Sequence, residues 1–300
     1  MARSKQRILM MSKLSHYKEL VDNFINELAQ IKRFPPIFQE ALFYTPKSGG
    51  KRIRAMLVMC AADMFGADET KSLHIASAIE LMHAYSLIHD DLPVMDNDDF
   101  RRGKPANHKV YGEDLALLVG DGLNTYTFNV IADAPIDDAR KVKIVKWLSN
   151  NAGIGGMVVG QVVDVLSSRD RLKGHSHKKL VNFIHKHKTA KLIQASVVCG
   201  AICGNPDDVQ LDRLAKYGLY AGVAFQIIDD YLDVVGDEEK LGKKKVDEIN
   251  NTLTYPKVYG LKRSYDIAQK LKDMAILQIK DIKGSKELID IAKLIVERDR

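Results

Sequence analysis

Apolar residues recur every three to four positions over most of the chain, a spacing typical of amphipathic α-helices. The pattern is clearest in 14–31, 72–91, 211–235 and 261–296. Residues 141–148 alternate briefly between apolar and basic, but they follow Ile136-Asp137-Asp138, a plausible helix start, so we predict helix there too. Helices do not alternate with strands, which argues against a dinucleotide-binding fold or a barrel. The pattern predicts an all-α protein.

None of the breaks between these helices has the composition of an interdomain linker. We therefore expect one domain over 1–300, with 1–11 as an extension outside the fold. The stretch 236–256 is long, charged and poorly periodic, and we predict that it forms a functional lid.

The net charge of +6 and the pI of 9.0 indicate an anionic partner. Acidic residues are nevertheless concentrated in 90–99 and 229–239. A small polyanion held through metal fits this division better than a nucleic-acid backbone does. The longest apolar run, Ala55 to Ala62, is far below the roughly 20 residues that span a bilayer, and we find no secretory leader. We expect a cytoplasmic protein without membrane insertion.

A stripe of polar residues follows one face of the helix predicted over 211–235. Gln226, Asp229, Asp230 and Asp233 stand at i, i+3, i+4 and i+7 on an otherwise apolar helix. Carboxylates crowded on a buried face repel one another unless cations lie between them. Because the motif offers only oxygen ligands, it favours Mg²⁺ or Mn²⁺ over zinc.

A second acidic motif ends the helix predicted over 72–91. Glu80, His83, Leu87 and Asp90 share one of its faces. On a straight helix Asp96 would point about 120° away from Asp90. Both can serve one metal site only if the chain loops after Asp91, and Pro93 makes such a loop plausible.

Two basic clusters accompany the acidic motifs. Arg101-Arg102-Gly103-Lys104 offers guanidinium groups suited to phosphate oxygens. Gly49 to Arg54 is a second basic loop, but it is not a P-loop, since Thr45 stands where the first glycine belongs and Arg52 replaces the Ser/Thr. Together the acidic and basic clusters indicate a site that handles two polyphosphate groups.

These motifs resemble those of the trans-polyprenyl diphosphate synthases. Asp90-Asp91-Leu92-Pro93-Val94-Met95-Asp96, followed by Arg101-Arg102-Gly103, looks like the first aspartate-rich motif of that family, and Asp229-Asp230-Tyr231-Leu232-Asp233 looks like the second. The resemblance covers nearly the whole chain. The four-residue spacer in the first motif and Tyr85, five residues before Asp90, are similar to bacterial farnesyl diphosphate synthases (geranyltranstransferases).

The resemblance implies an isoprenoid synthase fold, which is an all-α bundle of about ten or more helices around a central cavity. It also implies a homodimer and a prenyl transfer from an allylic diphosphate to isopentenyl diphosphate. It implies up to three Mg²⁺ ions, with Mn²⁺ as an alternative, held by Asp90, Asp91, Asp96, Asp229 and Asp233. The catalytic residues by resemblance are Asp90, Asp96, Arg101, Lys188 and Asp229.

The substrate contacts also follow from the resemblance. Isopentenyl diphosphate would bind to Lys51, Arg54, His83 and Arg102, and the allylic diphosphate to Arg101, Lys188 and Lys243. Thr189 and Gln226 would line the position of the allylic cation. Tyr85, with its neighbour Ser86, would close the pocket for the growing chain and favour a fifteen-carbon product.

Some features depart from the family pattern and leave alternatives open. Lys244-Lys245-Val246-Asp247 is about one residue short of the usual lid sequence, and Thr252 stands where a lysine is expected. These departures leave a non-catalytic regulatory subunit as an alternative. A geranylgeranyl diphosphate synthase is another, because an aromatic residue at helical spacing is more often core packing than a limit on product length. A metal-dependent phosphohydrolase built on His89-Asp90 is a third. His175, His177, His185 and His187 are a poor metal site because lysines flank them.

Overall fold

The computed structural model describes residues 2–30, 34–239 and 252–297, with side chains from residue 11 onward and except at 237–239. Helices dominate these residues. The first part of the chain forms α1 (Ala2–Leu28), α2 (Pro36–Lys47), α3 (Ile53–Met64), α4 (Glu69–Asp90), α5 (Asn107–Tyr111), α6 (Glu113–Ala132) and α7 (Asp138–Ala152).

The later part forms α8 (Met157–Ser168), α9 (His177–Ile184), a π-helical turn (His185–Ala190), α10 (Lys191–Ile202), α11 (Asp208–Glu239), α12 (Tyr255–Tyr259), α13 (Leu261–Ile279) and α14 (Lys286–Glu297). Within the described ranges the only sheet is a short antiparallel pair, β1 (Phe100–Arg101) and β2 (Lys104–Pro105).

The predicted all-α fold is confirmed. Residues 141–148 lie inside α7, so the helix prediction there holds. The stretch 261–296 is two helices rather than one, because the chain turns between α13 and α14 at Gly284, whose φ is +83°. The sequence argument left residues 1–11 outside the fold, whereas residues 2–11 form the first turns of α1. The predicted central cavity stays a prediction.

The chain divides into two compact units. The first comprises Met1–Val145 with Ile202–Gly204, and the second Lys146–Ala201 with Asn205–Arg300. The prediction of one domain is not tested by this division.

Helix α4 lies at the centre of the first unit, where it packs against α3 and α6. The side chain of Asp68 caps its N-terminus by accepting from the backbone N–H of Lys71. Its core side chains are at most 1% exposed: Ile75, Ile79, Leu81, Met82 and Ile88. This burial fixes the direction in which α4 presents the acidic residues at its C-terminal end.

In the second unit, the π-helical turn lies very close to α8 and α11. A Cβ added at Gly160 would lie 2.1 Å from the backbone nitrogen of Lys188, and one at Gly222 would lie 2.6 Å from the Cα of Ala190. Only glycine allows such approach. The turn that carries Lys188 and Thr189 is thereby held by backbone packing.

None of the helices described combines the length and the hydropathy needed to cross a membrane.

Candidate active site

The first aspartate motif folds back on the end of α4. The backbone N–H of Asp96 donates to the carbonyl of Asp90 at 2.9 Å, and the N–H groups of Met95 and Asn97 donate to the carbonyl of Leu92. Asn97 has a φ of +56°, a left-handed conformation that asparagine tolerates. The predicted loop after Asp91 is confirmed, and it returns Asp96 to the helix end that carries Asp90.

Asp91 has a different environment from its neighbour Asp90. Its side chain is 2% exposed and its Oδ1 accepts from Arg101 Nε at 2.8 Å and from Nη2 of the same guanidinium. Burial raises the pKa of Asp91 despite this ion pair. Arg101 also donates to Asp98 at 2.8 Å. Asp91, which the sequence analysis places among the metal ligands, therefore has its Oδ1 engaged by Arg101.

Burial lowers the pKa of Arg101, but the bonds to Asp91 and the nearby charges of Asp98 and Asp90 outweigh burial and raise it. Arg101 therefore stays charged, with its guanidinium held at the motif.

The two basic clusters meet in the first unit. Arg102 Nη1 donates to the carbonyl of Gly49, and a Cβ at Gly50 would lie 2.9 Å from the Arg102 guanidinium carbon. Gly49 and Gly50 both have positive φ, as does Arg102. The loop can approach the arginine this closely because Gly50 lacks a side chain.

A buried charge network that sequence analysis did not identify supports the basic loop. Arg52 is 4% exposed, has a φ of +51°, and donates to Asp22 at 2.8 Å and to Glu80 at 3.4 Å. Glu80 is 3% exposed and also accepts from the backbone N–H of Ala55 at 3.1 Å. An acidic residue inside the apolar run of α4 was the available signal, since a buried carboxylate needs a cationic partner.

His83 lies among arginines. Arg54 Nη1 donates to His83 Nε2 at 3.2 Å. Burial lowers the pKa of His83 well below its usual value, and the charges of Arg54, Arg102, Arg101 and Arg52 lower it further. The imidazole is therefore neutral near pH 7, and Nε2 accepts from Arg54. Of the predicted residues, Arg54 and Arg102 therefore lie close to His83, and Lys51 is exposed in the same basic loop as Arg54.

The ring of Tyr85 packs against His89, which is itself held in place. Tyr85 is half-buried, and its ring packs edge-on against His89 with centroids 5.3 Å apart. His89 Nε2 donates to the carbonyl of Leu117 at 3.0 Å, and a Cβ at Gly120 would lie 2.0 Å from that nitrogen. Burial is the main cause that raises the pKa of Tyr85, and the charge of Asp90 raises it further. Ser86 donates to the carbonyl of His83 at 2.9 Å.

The position of His89 bears on the phosphohydrolase alternative. Because its ring is fixed between Tyr85 and α6, its Nε2 is committed to a backbone carbonyl. This bond leaves Nδ1 as the acceptor nitrogen, and a metal-ligating histidine commonly donates its other ring N–H to a backbone carbonyl, so the contact does not by itself exclude the phosphohydrolase alternative.

In the second unit, Lys188 Nζ donates to Asp164 at 2.6 Å. The neighbouring Gln161 has a buried side-chain amide, and neither its oxygen nor its nitrogen has a hydrogen-bond partner among the described residues. Buried polar atoms without partners are rare and mark places where a ligand or water completes the structure. Sequence analysis gave no role to Asp164 or Gln161.

The second aspartate motif joins α11 to the π-helical turn. Thr189 Oγ1 donates to Gln226 Oε1 at 2.8 Å, and Gln226 Nε2 donates to Asp230 at 3.1 Å. Asp229 is half-buried and Asp233 is exposed, whereas Asp230 is 5% exposed. Thr189 and Gln226, which the resemblance assigns to the position of the allylic cation, are therefore in contact, and the three aspartates differ in environment.

Some predicted features lie outside the described residues. These are Lys243, the lid sequence at 244–247 and the C-terminal residues 298–300.

The described part of the chain contains no group of three or more His, Cys, Asp or Glu side chains that could hold a metal ion by itself. This agrees with the chemistry of Mg²⁺, which is usually bound by one or two carboxylates together with substrate phosphates and water. The half-buried and exposed aspartates offer oxygen donors of that kind.

Comparison with known proteins identifies the family. Residues 35–292 match the polyprenyl synthetase family model. A chloroplastic geranylgeranyl pyrophosphate synthase of Catharanthus roseus is 43% identical over 278 residues, which cover 91% of this chain and 77% of the relative. The farnesyl diphosphate synthase of Geobacillus stearothermophilus is 42% identical over 254 residues, covering 83% of this chain and 84% of the relative.

Solved structures that resemble this chain support the same family. A geranyltransferase from Legionella pneumophila superposes with a TM-score of 0.85 at 32% identity, covering 97% of both chains. A geranyltransferase from Helicobacter pylori, complexed with magnesium and isoprenyl diphosphate, gives 0.81 at 32% identity and covers 95% of this chain and 98% of that one. With the aspartate motifs and basic loops in place, these matches establish that the chain belongs to the polyprenyl synthetase family of short-chain prenyltransferases.

Proposed function

We propose that the protein is a farnesyl diphosphate synthase, which adds isopentenyl diphosphate to dimethylallyl and then to geranyl diphosphate. In each cycle the C–O bond of the allylic diphosphate breaks and diphosphate leaves with the electron pair. The double bond of isopentenyl diphosphate attacks the allylic cation, a C–C bond forms, and the proton then lost is taken up by the released diphosphate.

The basic group around His83 supports the assignment of the isopentenyl diphosphate site. Arg54 and Arg102 are held by His83 and Gly49, respectively, so their charge is positioned before substrate arrives. Lys51 is exposed at the same loop. Pre-positioned guanidinium groups suit the oxygens of a diphosphate.

The aspartates supply the ligands for Mg²⁺, or alternatively Mn²⁺, with up to three ions. Asp90 and Asp96 are brought to one helix end, and Asp229 and Asp233 stand one turn apart on α11. Asp91 would join them through Oδ2, because Arg101 engages its Oδ1. When bound, the metal would neutralise charge that develops on the departing diphosphate.

On the allylic side, Arg101, Lys188 and Lys243 are proposed to hold the diphosphate, and Thr189 and Gln226 to face the reacting carbon. Lys188 is paired with Asp164 and would turn to the diphosphate on binding. The hydrogen bond between Thr189 and Gln226 places two oxygens side by side. Oxygen dipoles fixed before the reaction stabilise positive charge as it develops.

The observation that carries the fifteen-carbon product is the bracing of Tyr85. Its ring lies about 7.5 Å along α4 from Asp90, and His89, fixed against Gly120, prevents it from moving aside. A ring held in this way limits the length of the chain that can grow beside α4.

A geranylgeranyl diphosphate synthase is the second candidate, because relatives such as the Catharanthus roseus enzyme carry that name. The two are separated by incubating the protein with Mg²⁺, isopentenyl diphosphate and each of the C5, C10 and C15 allylic diphosphates, and sizing the products. We expect C15 to predominate. Mainly C20 product would refute the role given to Tyr85 and leave the family assignment intact.

Two variants sharpen this experiment. Tyr85→Ala removes the ring and should extend the products to C20 or longer, whereas Tyr85→Phe keeps the ring and should retain C15. Equal product lengths in both variants would show that the ring does not limit the chain.

The remaining alternatives predict different outcomes. A phosphohydrolase would release phosphate from nucleotides with Mn²⁺ and would not consume isopentenyl diphosphate. A regulatory subunit would be inactive alone and active only after a partner is added. We also propose a homodimer, and Leu117 and Leu118, 47% and 58% exposed on α6, offer apolar surface for it. A monomeric mass in light scattering would contradict the dimer. The cytoplasmic location stays a prediction.

A further inference from the structure

The carboxylate of Asp230 is enclosed by donors. It is 5% exposed, accepts hydrogen bonds from Gln226 Nε2 at 3.1 Å and from the backbone N–H of Tyr255 at 2.9 Å, and lies 3.1 Å from His185 Nε2. These three groups come from α11 itself, from the start of α12 and from the π-helical turn. The sequence pattern places Asp230 on the same face as Asp229 and Asp233, but its partners are protein groups.

These contacts determine the orientation of the Gln226 amide. A carboxylate only accepts hydrogen bonds, so the NH₂ end of Gln226 must face Asp230. The amide oxygen then points to Thr189, whose hydroxyl donates to it at 2.8 Å. If the Gln226 amide were reversed, its NH₂ group, which carries positive partial charge, would lie beside the Thr189 hydroxyl.

His185 and Tyr255 hold the carboxylate in place. His185 is 3% exposed, and the Tyr255 ring stacks on it at 4.7 Å between centroids. His185 and Thr189 belong to the same π-helical turn, and such turns occur frequently at functional sites. The first residue of the turn therefore anchors Asp230, and Thr189 near its end carries the hydroxyl that Gln226 orients.

We propose that Asp230 is a positioning residue: held by His185 and Tyr255, it fixes the amide of Gln226 so that the oxygens of Gln226 and Thr189 face the allylic carbon, and it does not ligate metal. This inference rests on the proposed function, which assigns Thr189 and Gln226 to the allylic carbon. It divides the second motif into two roles, with Asp229 and Asp233 as ligands and Asp230 as support.

The test compares Asp230→Asn with the isosteric variant Asp229→Asn in the full-length protein. Gln226 donates to Oδ1 of Asp230 and Tyr255 to Oδ2; an asparagine at 230 has one oxygen and cannot accept in both places, so the Gln226 amide is no longer fixed. We expect kcat to fall by roughly 10²-fold, as small misplacements near the reacting atoms cause. The KM values for both diphosphates and the Mg²⁺ concentration for half-maximal rate should stay within about threefold of wild type. Asp229→Asn should instead raise the Mg²⁺ requirement.

A second measurement asks whether Asp230 acts through Gln226. In the Gln226→Ala background, Asp230→Asn should cost far less in kcat than it does alone, because groups that act as a unit are not additive. The NMR signal of the His185 Nε2 proton, assigned with His185→Gln, should shift in Asp230→Asn and stay in place in Asp229→Asn.

Several outcomes would overturn the proposal: an Mg²⁺ requirement raised in Asp230→Asn as in Asp229→Asn, additive losses with Gln226→Ala, or a kcat within twofold of wild type. If Asp230→Asn does not fold, His185→Leu removes one of its anchors, and an unchanged kcat there would also overturn it. The proposed function fails separately, if the wild-type protein forms no prenyl diphosphate.

Discussion

The backbone N–H of Asp96 donates to the backbone carbonyl of Asp90 at 2.9 Å, so the last aspartate of the first motif is tied to the first. A straight helix would separate the two side chains by about 120° around its axis. Ending α4 at Asp90 and turning the chain removes that separation. The loop is what allows one end of α4 to offer both carboxylates.

Gly120→Ala should lower the midpoint of thermal unfolding and lengthen the products. The new methyl would overlap the His89 ring, and overpacking of this kind costs about 1–3 kcal/mol in the free energy of unfolding. A displaced His89 no longer braces Tyr85. Calorimetry and product sizing check both effects.

Gly122→Ala is the matched control on the same helix, since its Cβ would make an ordinary contact with Leu42 at 3.5 Å. Alanine there should be neutral or stabilising. The double variant Gly120→Ala/His89→Ala should recover stability. Equal midpoints for the two glycine variants would contradict the assigned packing.

Glu80→Gln should weaken both folding and the binding of isopentenyl diphosphate. The amide can still accept from the N–H of Ala55, but it no longer neutralises Arg52, which is buried. Breaking a buried pair costs on the order of 3 kcal/mol. Urea unfolding and separate KM values measure the effects, and we expect the KM for isopentenyl diphosphate to rise more than that for the allylic substrate.

Asp22→Asn is the comparison, because the Asp22 side chain is 30% exposed and water compensates part of the loss. It should be less destabilising than Glu80→Gln. A larger effect at Asp22, or equal rises in both KM values, would show that Glu80 is not the residue that supports the basic loop.

His83 makes stability depend on pH. Its pKa is lowered in the folded state, chiefly by burial, so below its usual value of about 6.5 the unfolded chain binds a proton that the folded chain does not. The free energy of unfolding should therefore fall as pH drops below that value. This contribution is absent above it, where both states carry neutral imidazole.

His83→Gln should reduce the slope of stability against pH in this range, measured by urea unfolding at several pH values. His175→Gln, a substitution at an exposed histidine, is the control and should leave the slope unchanged. Identical slopes in wild type and His83→Gln would exclude the effect.

Gln161→Met should stabilise the protein and reduce its activity. The amide is buried without a partner among the described residues, so its replacement by an apolar side chain of similar size should gain about 1 kcal/mol. If the amide serves a substrate, the same change lowers kcat/KM.

Gln194→Met provides the opposite case. Gln194 is 7% exposed, donates to the carbonyl of Ala215 at 2.9 Å and accepts from Lys191 at 3.0 Å. Replacing Gln194 by methionine should therefore lower the stability of the protein. Loss of stability in both variants, measured by thermal unfolding, would mean that the side-chain amide of Gln161 makes hydrogen bonds in solution.

The helices and the first loop could be predicted because their causes are local. Apolar spacing places α4 and α11, and Pro93 with the six-residue separation of Asp90 and Asp96 requires a turn. The contact of Gln226 with Asp230 also follows from i, i+4 spacing. The buried Arg52 and Glu80 pair was not found, because its members are 28 residues apart.

The sequence by itself determined an all-α chain with two acidic motifs and two basic clusters, since helical periodicity and residue chemistry are written locally. Only the tertiary structure decided which carboxylate of each motif is buried and paired with another protein group. Asp91 meets Arg101, and Asp230 meets His185 from a separate segment of the chain. A buried carboxylate must be paired, and spacing along one helix does not specify which distant donor reaches it.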